Sequence, residues 1–194
     1  MGYSKKEITA FFHRLDRSKF MDSNKEAAEF DRPFPIGHGQ TISQPSLVLD
    51  MTLHLDLAEG DKVLEIGTGS GFQTALLAGF AESVYTVERI EALYQKVQER
   101  LAAEGYSNVH FHLGDGSLGW KKHAPYDRIM VTAAAKEVPR ALTDQLSPGG
   151  KMIIPIGDSF SQELQLIEKS EEGRIHTSFI EHVLFVELRE DDME

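Results

Sequence analysis

The chain has 194 residues and 41% hydrophobic content, which suits one compact domain but leaves too little sequence for two. Its net charge of −11 and the lack of any Lys- and Arg-rich stretch argue against nucleic acid as a substrate. The sequence contains no cysteine, no apolar run of roughly 18 residues and no hydrophobic signal region. We therefore expect a single cytoplasmic domain over 1–194 that acts as a monomer and does not enter a membrane.

The first 60 residues or so predict a helical extension of that domain. Ser4 and Glu7 form a capping box ahead of a segment with apolar residues at helical spacing. Residues 21–42 show neither helical nor strand periodicity, so we predict a loop and leave its order open. Ser43 is placed to cap a helix that has Pro45 in its first turn.

Strand and helix patterns alternate from residue 62 onward. The predicted strands are residues 62–66, 84–88, 109–113, 128–132 and 151–156, and the predicted helices are residues 72–81, 90–105 and about 139–146. Such alternation implies right-handed crossovers and a mostly parallel sheet covered on both faces. A hairpin at 163–169 and 175–180 and a last strand at 182–188 follow. We predict a doubly wound, three-layered α/β fold with an antiparallel C-terminal strand.

A glycine loop joins the first of these strands to a helix. Residues 63–72 read Val-Leu-Glu-Ile-Gly-Thr-Gly-Ser-Gly-Phe, in which Gly67 fits a tight turn, while Gly69 and Gly71 would let the backbone approach a ligand. A plain strand-to-helix turn would also explain such a loop alone. The next strand, however, ends in Glu88, whose carboxylate can accept both hydroxyls of a ribose. This layout predicts a site for the adenosyl half of a cofactor.

The glycine spacing favours one of the two common adenosyl cofactors. A dinucleotide fingerprint that starts at Gly67 requires a small residue at position 72, where this chain has Phe72. Glu65 precedes the loop, and its carboxylate suits a ligand with an ammonium and a sulfonium better than one with a pyrophosphate. We therefore predict S-adenosylmethionine, with S-adenosylhomocysteine as its product, rather than NAD.

Several other residues fall at or just past predicted strand ends, where sheets of this kind bind ligands. Asp115 can accept from the adenine amino group, or it can simply form an Asp-Gly turn. The cofactor residues predicted from the loop and the strand ends are Glu65, Gly67, Thr68, Gly69, Gly71, Glu88, Arg89, Asp115, Gly116 and Thr132.

We predict no metal site. His110 and His112 lie on the same side of a predicted strand, but a catalytic zinc usually has three protein ligands. Neither His38 nor His123 has a spacing that completes such a set.

One segment is much more specific than the glycine loop, namely Arg-Pro-Phe-Pro-Ile-Gly-His-Gly-Gln-Thr-Ile-Ser-Gln-Pro at residues 32–45. It resembles the signature of protein-L-isoaspartate O-methyltransferases, and the similarity covers roughly residues 11–188. Further matching segments are residues 63–73, 87–90, 114–116, 119–120, 126–127, 131–134, 145–146 and 149–150. The resemblance implies methylation of the free α-carboxylate of L-isoaspartyl residues in damaged proteins. It also implies that Ser43 is the active-site serine and that Thr41 and Ile42 help close the cofactor pocket.

The chain departs from the family pattern on the side expected to face the substrate. Lys136 lies where family members commonly have a proline-rich segment. Leu184 and Glu187 lie where an arginine and a proline are common. Two other functions therefore stay open at this point. One is a methyltransferase of the same fold that acts on a small molecule, and the other is a cofactor-binding module without turnover.

The expected methyl transfer to a carboxylate requires few catalytic groups from the protein. A free carboxyl group has a pKa of about 4, so the acceptor is already an anion near pH 7 and requires no general base. Ser43 would orient that carboxylate by hydrogen bonding. From sequence alone, a plain helix N-cap explains Ser43 equally well.

Overall fold

The computed structural model describes residues 2–189, and its first helix begins at the predicted capping box. Helix α1 (Lys5–Phe12) starts after Ser4, whose Oγ accepts from the Glu7 backbone N–H at 3.3 Å. The Glu7 carboxylate in turn accepts from the Ser4 backbone N–H at 2.8 Å. Ile8 is buried and anchors this helix on the rest of the core.

The structure corrects the predicted cap of the second helix. Helix α2 (Pro45–Leu55) has Gln44 as its N-cap residue, and the Gln44 carbonyl accepts from the Val48 N–H at 3.1 Å. The Asp31 carboxylate accepts from the Ser46 N–H at 2.8 Å, which satisfies one of the free donors of the first turn. The Ser43 side chain therefore does not cap this helix.

The segment predicted as an aperiodic loop contains short ordered elements. Within residues 21–42, a 3-10 turn at Lys25–Ala27 precedes an antiparallel hairpin of β1 (Phe34–Gly37) and β2 (Gln40–Ile42). Another 3-10 turn, Arg17–Phe20, lies directly before this segment. Strands of four and three residues are too short for alternation to reveal them.

The main sheet has seven strands in the order β5-β4-β3-β6-β7-β8-β9. Their bounds are β3 (Lys62–Ile66), β4 (Ser83–Glu88), β5 (Val109–Leu113), β6 (Tyr126–Val131), β7 (Leu146–Gly157), β8 (Gln162–Lys169) and β9 (Ile175–Val183). Strands β3 to β7 pair in parallel, whereas β8 runs antiparallel to both of its neighbours. The order in which the chain adds strands reverses between β3 and β6, which is the switch point where such folds bind ligands.

Helices and turns cover both faces of the sheet. Helices α1 and α2, together with α3 (Phe72–Ala78) and α4 (Glu91–Ala103), share one apolar core with one face, and α5 (Arg140–Gln145) shares a second core with the other. The helix predicted at residues 90–105 is confirmed as α4, and its apolar stripe of Leu93, Val97 and Leu101 is buried. This arrangement confirms the predicted three-layered α/β fold. Within residues 2–189, no helix has the length and apolar character needed to span a bilayer.

The predicted strand at 182–188 is wrong in its extent. Strand β9 ends at Val183, and residues 184–189 turn back toward the segment that follows β6. The buried side chain of Gln162 causes this departure, because its Oε1 accepts from the Phe185 N–H at 2.6 Å and its Nε2 donates to the Phe185 carbonyl at 3.1 Å. The side-chain amide of Gln162 thus takes the place of the backbone hydrogen bonds that would extend β9.

A buried guanidinium ties the N-terminal segment to the start of α2. Arg17 is 5% exposed and donates to the carbonyls of Ala28, Phe30 and Arg32 and, at 3.0 Å, to the carbonyl of Ser43. These backbone groups come from separate parts of the chain, and the one side chain satisfies all of them. Arg17 therefore fixes the backbone of the residue that the sequence singled out as the active-site serine.

Replacing Arg17 tests this structural role. We expect Arg17→Met to lower the free energy of unfolding by about 3 kcal/mol, since it removes the guanidinium donor from one buried and three partly buried carbonyls. Urea denaturation measures the change. The matched control is Arg174→Met, because the Arg174 side chain is 82% exposed and pairs only with Glu172 on the surface. Equal effects of the two substitutions would contradict the assignment.

Candidate active site

The glycine loop after β3 is held between the ends of two neighbouring strands. The Gly67 N–H donates to the carbonyl of Val87 at the end of β4, at 2.9 Å. On the other side, the Thr132 N–H donates to the Ile66 carbonyl at 2.9 Å, and the Thr132 hydroxyl donates to the Gly67 carbonyl at 2.7 Å. A Cβ at Gly67 would lie 2.5 Å from the Thr132 Oγ1, and Gly67 has φ +92°, so only glycine fits there.

The Glu88 carboxylate joins the loop to the end of β4. Its Oε2 accepts from the Gly69 N–H at 2.9 Å and its Oε1 accepts from the Ile90 N–H at 2.9 Å. Glu88 is only 5% exposed, yet it lines a cavity above the loop. A carboxylate has about four acceptor positions, so both oxygens can still accept hydroxyl donors from a ligand.

This cavity, which we call the loop pocket, brings together most of the predicted site residues. The predicted residues in its lining are Thr41, Ile42, Ser43, Gly67, Thr68, Gly69, Glu88, Arg89, Gly116 and Thr132. They come from β2, from the glycine loop and from the segments after β4, β5 and β6, so the carboxyl ends of the strands converge as expected.

Glu65 lies outside the loop pocket, which corrects the expectation that its carboxylate faces the ligand. Its side chain is fully buried, and Oε2 accepts from the hydroxyls of Thr74 and Thr86 at 2.6 Å each. The Thr86 hydroxyl also bonds to that of Thr68 at 2.6 Å, and Thr68 does line the pocket. Glu65 therefore supports the loop from below.

Burial raises the pKa of Glu65 to about 8, while the hydrogen bonds from Thr74 and Thr86 lower it and the charge of Glu88 raises it. Within residues 2–189, Oε1 of Glu65 has no hydrogen-bond partner. A carboxyl group in this position is held in its neutral form near pH 7 by the lack of water and of a nearby cation.

Two further predicted residues also lie outside the lining, each for a packing or turn reason. Gly71 makes room for helix α4, since a Cβ there would lie 2.6 Å from Val97 Cγ2. Asp115 caps a 3-10 turn through Oδ1, which accepts from the Ser117 N–H at 2.8 Å. The Asp-Gly turn considered from the sequence is thus the arrangement found, and Gly116 is the member of the pair that lines the pocket.

Sequence reasoning missed the other residues of the lining, which are Gln40, Val48, Ile66, Ser70, Phe72, Gln73, Val87, Ile90, Ala133 and residues 186–189. Val87 and Ile90 flank Glu88 and could have been added from that proximity. Residues 186–189 are not close in sequence to any predicted site residue. They reach the pocket because the Ala134 N–H donates to the Val186 carbonyl and the Leu188 N–H donates to the Ala134 carbonyl, at 2.8 Å each.

A second, wider cavity adjoins the loop pocket. We call it the outer groove, and it extends from the first turn of α2 to the loop between β7 and β8 and to the end of β9. Ser43 and Thr132 line both cavities, as do Thr41, Val186 and Glu187. The Ser43 side chain makes no hydrogen bond within residues 2–189, since only its carbonyl is engaged, by Arg17. Ser43 therefore stands at the junction with a hydroxyl available to a ligand.

The histidines considered for a metal stack on aromatic rings. His110 stacks on Tyr85 and His112 stacks on Trp120, with ring centroids 4.7 and 4.8 Å apart. Within the described part of the chain, no group of three or more His, Asp or Glu side chains is arranged to hold a metal ion.

The chain matches a known family over almost its whole length. The model of the protein-L-isoaspartate(D-aspartate) O-methyltransferase family matches residues 2–193. The chain belongs to this family. A protein-L-isoaspartate O-methyltransferase 2 from Syntrophobacter fumaroxidans is 52% identical over 177 residues, covering 90% of this chain and 72% of that protein. A member from Pseudomonas aeruginosa is 49% identical over 190 residues, covering 96% of this chain and 89% of its own length.

Solved structures agree with that assignment. A structure from Plasmodium falciparum, described as a protein-L-isoaspartate O-methyltransferase in complex with S-adenosyl-L-homocysteine, superposes with a TM-score of 0.83 at 26% identity. The alignment covers 95% of this chain and 91% of the Plasmodium chain. The family resemblance of residues 32–45 and of the other matching segments is therefore confirmed.

The raised pKa of Glu65 predicts how the stability of this family member depends on pH. The folded state keeps the proton up to about pH 8, whereas the unfolded state loses it near 4.5. The folded state thus binds more protons between these values, and the contribution of Glu65 to stability falls as pH rises through that window, by about 1 kcal/mol per pH unit.

Glu65→Gln removes this titration. We expect the free energy of unfolding of the variant to rise relative to that of the wild type between pH 5 and pH 8, as measured by urea denaturation at each pH. The exposed Glu82→Gln variant should show no such trend relative to wild type. A wild-type-to-variant difference that stays constant across this range would show that the pKa of Glu65 is ordinary.

Proposed function

We propose that this chain transfers a methyl group from S-adenosylmethionine to the free α-carboxylate of L-isoaspartyl residues in damaged proteins and peptides. One observation supports this most directly. Ser43, with an available hydroxyl, lies where the loop pocket meets the outer groove, so a cofactor and an acceptor bound in the two cavities would meet beside it. The activity for which the relatives are named supports the same proposal.

The residues of the loop pocket fit the proposed cofactor. Glu88 offers carboxylate oxygens to ribose hydroxyls, and a Cβ placed at Gly69 would meet only Ile36 Cδ1, at 3.7 Å, which leaves open space above the loop. Ile66, Val87 and Ile90 supply apolar walls of the kind that a flat base packs against. When bound, S-adenosylmethionine supplies an activated methyl group on a sulfonium.

The chain's own residues need only to bind and orient the acceptor. Because the acceptor carboxylate is anionic near pH 7, no residue has to remove a proton from it. The Ser43 hydroxyl would donate a hydrogen bond to one carboxylate oxygen and direct the other toward the loop pocket. Most of the rate enhancement then comes from positioning and from exclusion of water.

The outer groove favours a peptide over a small molecule as the acceptor. Its volume is about 1640 Å³, whereas small-molecule sites usually occupy roughly 300–1000 Å³. Elements from the first turn of α2 to the loop between β7 and β8 and the end of β9 line it, which leaves room for residues on both sides of an isoaspartyl unit.

Three broader expectations also remain proposals. The net charge of −11 and the absence of cysteine support an enzyme that acts on proteins in the cytoplasm and does not bind nucleic acid. We also propose that it acts as a monomer, since the loop pocket and the outer groove both form within a single chain.

A pair of peptides tests the proposed reaction. The purified chain should transfer methyl groups to a peptide that contains one L-isoaspartyl residue and not to its L-aspartyl twin, as measured with labelled S-adenosylmethionine. Equal transfer to both peptides would reject the specificity. Tight cofactor binding without transfer to either peptide would favour a binding module.

Ser43→Ala tests the role of the serine in this assay. We expect kcat to fall roughly ten- to hundred-fold, the value of one hydrogen bond to a charged group, while the affinity for S-adenosylmethionine stays unchanged. Ser107→Ala is the matched control, because Ser107 is exposed and lines neither cavity. An unchanged kcat in Ser43→Ala would remove the serine from the reaction.

A further inference from the structure

The outer groove carries an unusual distribution of charge for a site that receives an anion. Within residues 2–189, Lys136 is the only lysine or arginine that lines it, whereas the acidic residues in the lining are Asp50, Asp158, Glu181 and Glu187. A carboxylate that enters this groove from solvent meets a negative potential, to which the net charge of −11 adds. Binding therefore requires a local positive charge.

The backbone around Lys136 is fixed next to the junction of the two cavities. The Ala135 N–H donates to the Pro155 carbonyl at 3.0 Å, and the Gly157 N–H donates to the Ala135 carbonyl at 2.9 Å. The preceding Ala134 N–H donates to the Val186 carbonyl at 2.8 Å. Lys136 thus follows a segment that is hydrogen-bonded to β7 on one side and to residues 184–189 on the other.

The distance along the chain allows Lys136 to reach the junction. Lys136 is the fourth residue after Thr132, which lines both cavities, and four residue steps span at most about 14 Å. The side chain of Lys136 is exposed in the groove and makes no ion pair with the described residues. A flexible four-carbon stem carries its ammonium group, which can approach a bound carboxylate.

Two other donors that line the outer groove, Thr132 and His54, are already engaged. The Thr132 hydroxyl donates to the carbonyls of Ile66 and Gly67, at 3.0 and 2.7 Å. His54 lies 3.2 Å from the Asp50 carboxylate, so its ring faces an acidic partner. Ser43 can supply one neutral hydrogen bond, but it cannot offset the negative field of the groove.

From this arrangement we infer that Lys136 binds the acceptor carboxylate and sets the affinity of the enzyme for its substrate. The inference rests on the proposed function and deepens it. Ser43 and Lys136 would divide the task, since the serine directs one oxygen of the carboxylate and the lysine supplies the charge that draws the carboxylate into an acidic groove. Lys136 would contribute to substrate binding and would leave the cofactor untouched, because it does not line the loop pocket.

The test compares Lys136→Met, Lys136→Arg and Lys6→Met with the wild type on the isoaspartyl peptide. Lys6 is an exposed residue of α1 outside both cavities, so Lys6→Met controls for the loss of one positive charge. We expect Lys136→Met to raise KM for the peptide about ten-fold, with kcat changed less than two-fold and the affinity for S-adenosylmethionine unchanged. Lys136→Arg should restore most of the affinity.

Salt provides a readout that a purely structural lysine would not affect. Salt screens the repulsion by the acidic groove in both proteins, but it screens an attraction to Lys136 only in the wild type. The ratio of the Lys136→Met KM to the wild-type KM should therefore fall as the ionic strength rises. A wild-type KM and a wild-type salt dependence in Lys136→Met would overturn the inference while the proposed function stands. Absence of peptide methylation by the wild type would instead refute the proposed function and, with it, the role of Lys136.

Discussion

The site depends on the hydrogen bonds that hold the glycine loop between the ends of β4 and β6. Gly67 bonds to the end of β4 through its N–H and to Thr132 through its carbonyl. Glu88 fixes the middle of the loop by accepting from Gly69. These contacts exist because parallel strands place their carboxyl ends at one edge of the sheet, and the reversal of strand order between β3 and β6 opens a cleft there. The pocket is therefore a consequence of sheet topology.

Beneath that loop, a buried acid connects the site to the stability of the core. Glu65 receives hydroxyl donors from α3 and from β4, and its neighbour Thr86 contacts Thr68 in the pocket wall. Burial raises the pKa of Glu65 most, and the charge of Glu88 raises it further, so the protonation of this buried acid is coupled to a residue of the pocket wall.

Local patterns predicted the elements that depend on nearby residues. The capping box at Ser4, the stripe of α4 and the strand that ends in Glu88 each arise from spacings within a few residues, and all are present. Predictions failed where a distant group decided the outcome. Asp31 took the capping role expected of Ser43, and Gln162 ended β9 early. Neither partner is close in sequence, so no local pattern could have indicated it.

The same distinction applies to the candidate site. Gly67, Gly69 and Glu88 line the loop pocket as predicted, because their positions follow directly from a strand, a turn and a second strand. Glu65 was expected in the pocket because the sequence shows only its position along β3. It does not show that threonines from α3 and β4 donate to the Glu65 carboxylate within the core. Residues 186–189 reach the pocket through a long-range bridge between Ala134 and Glu187, which no periodicity could predict.

The central claim is that the loop pocket binds an adenosyl cofactor through Glu88. A crystal structure of the chain with S-adenosylhomocysteine tests it most directly. We predict density for the ligand above residues 67–70, with both ribose hydroxyls within hydrogen-bond distance of the Glu88 carboxylate. Density elsewhere, an empty loop pocket at saturating ligand, or a ribose turned away from Glu88 would contradict the account.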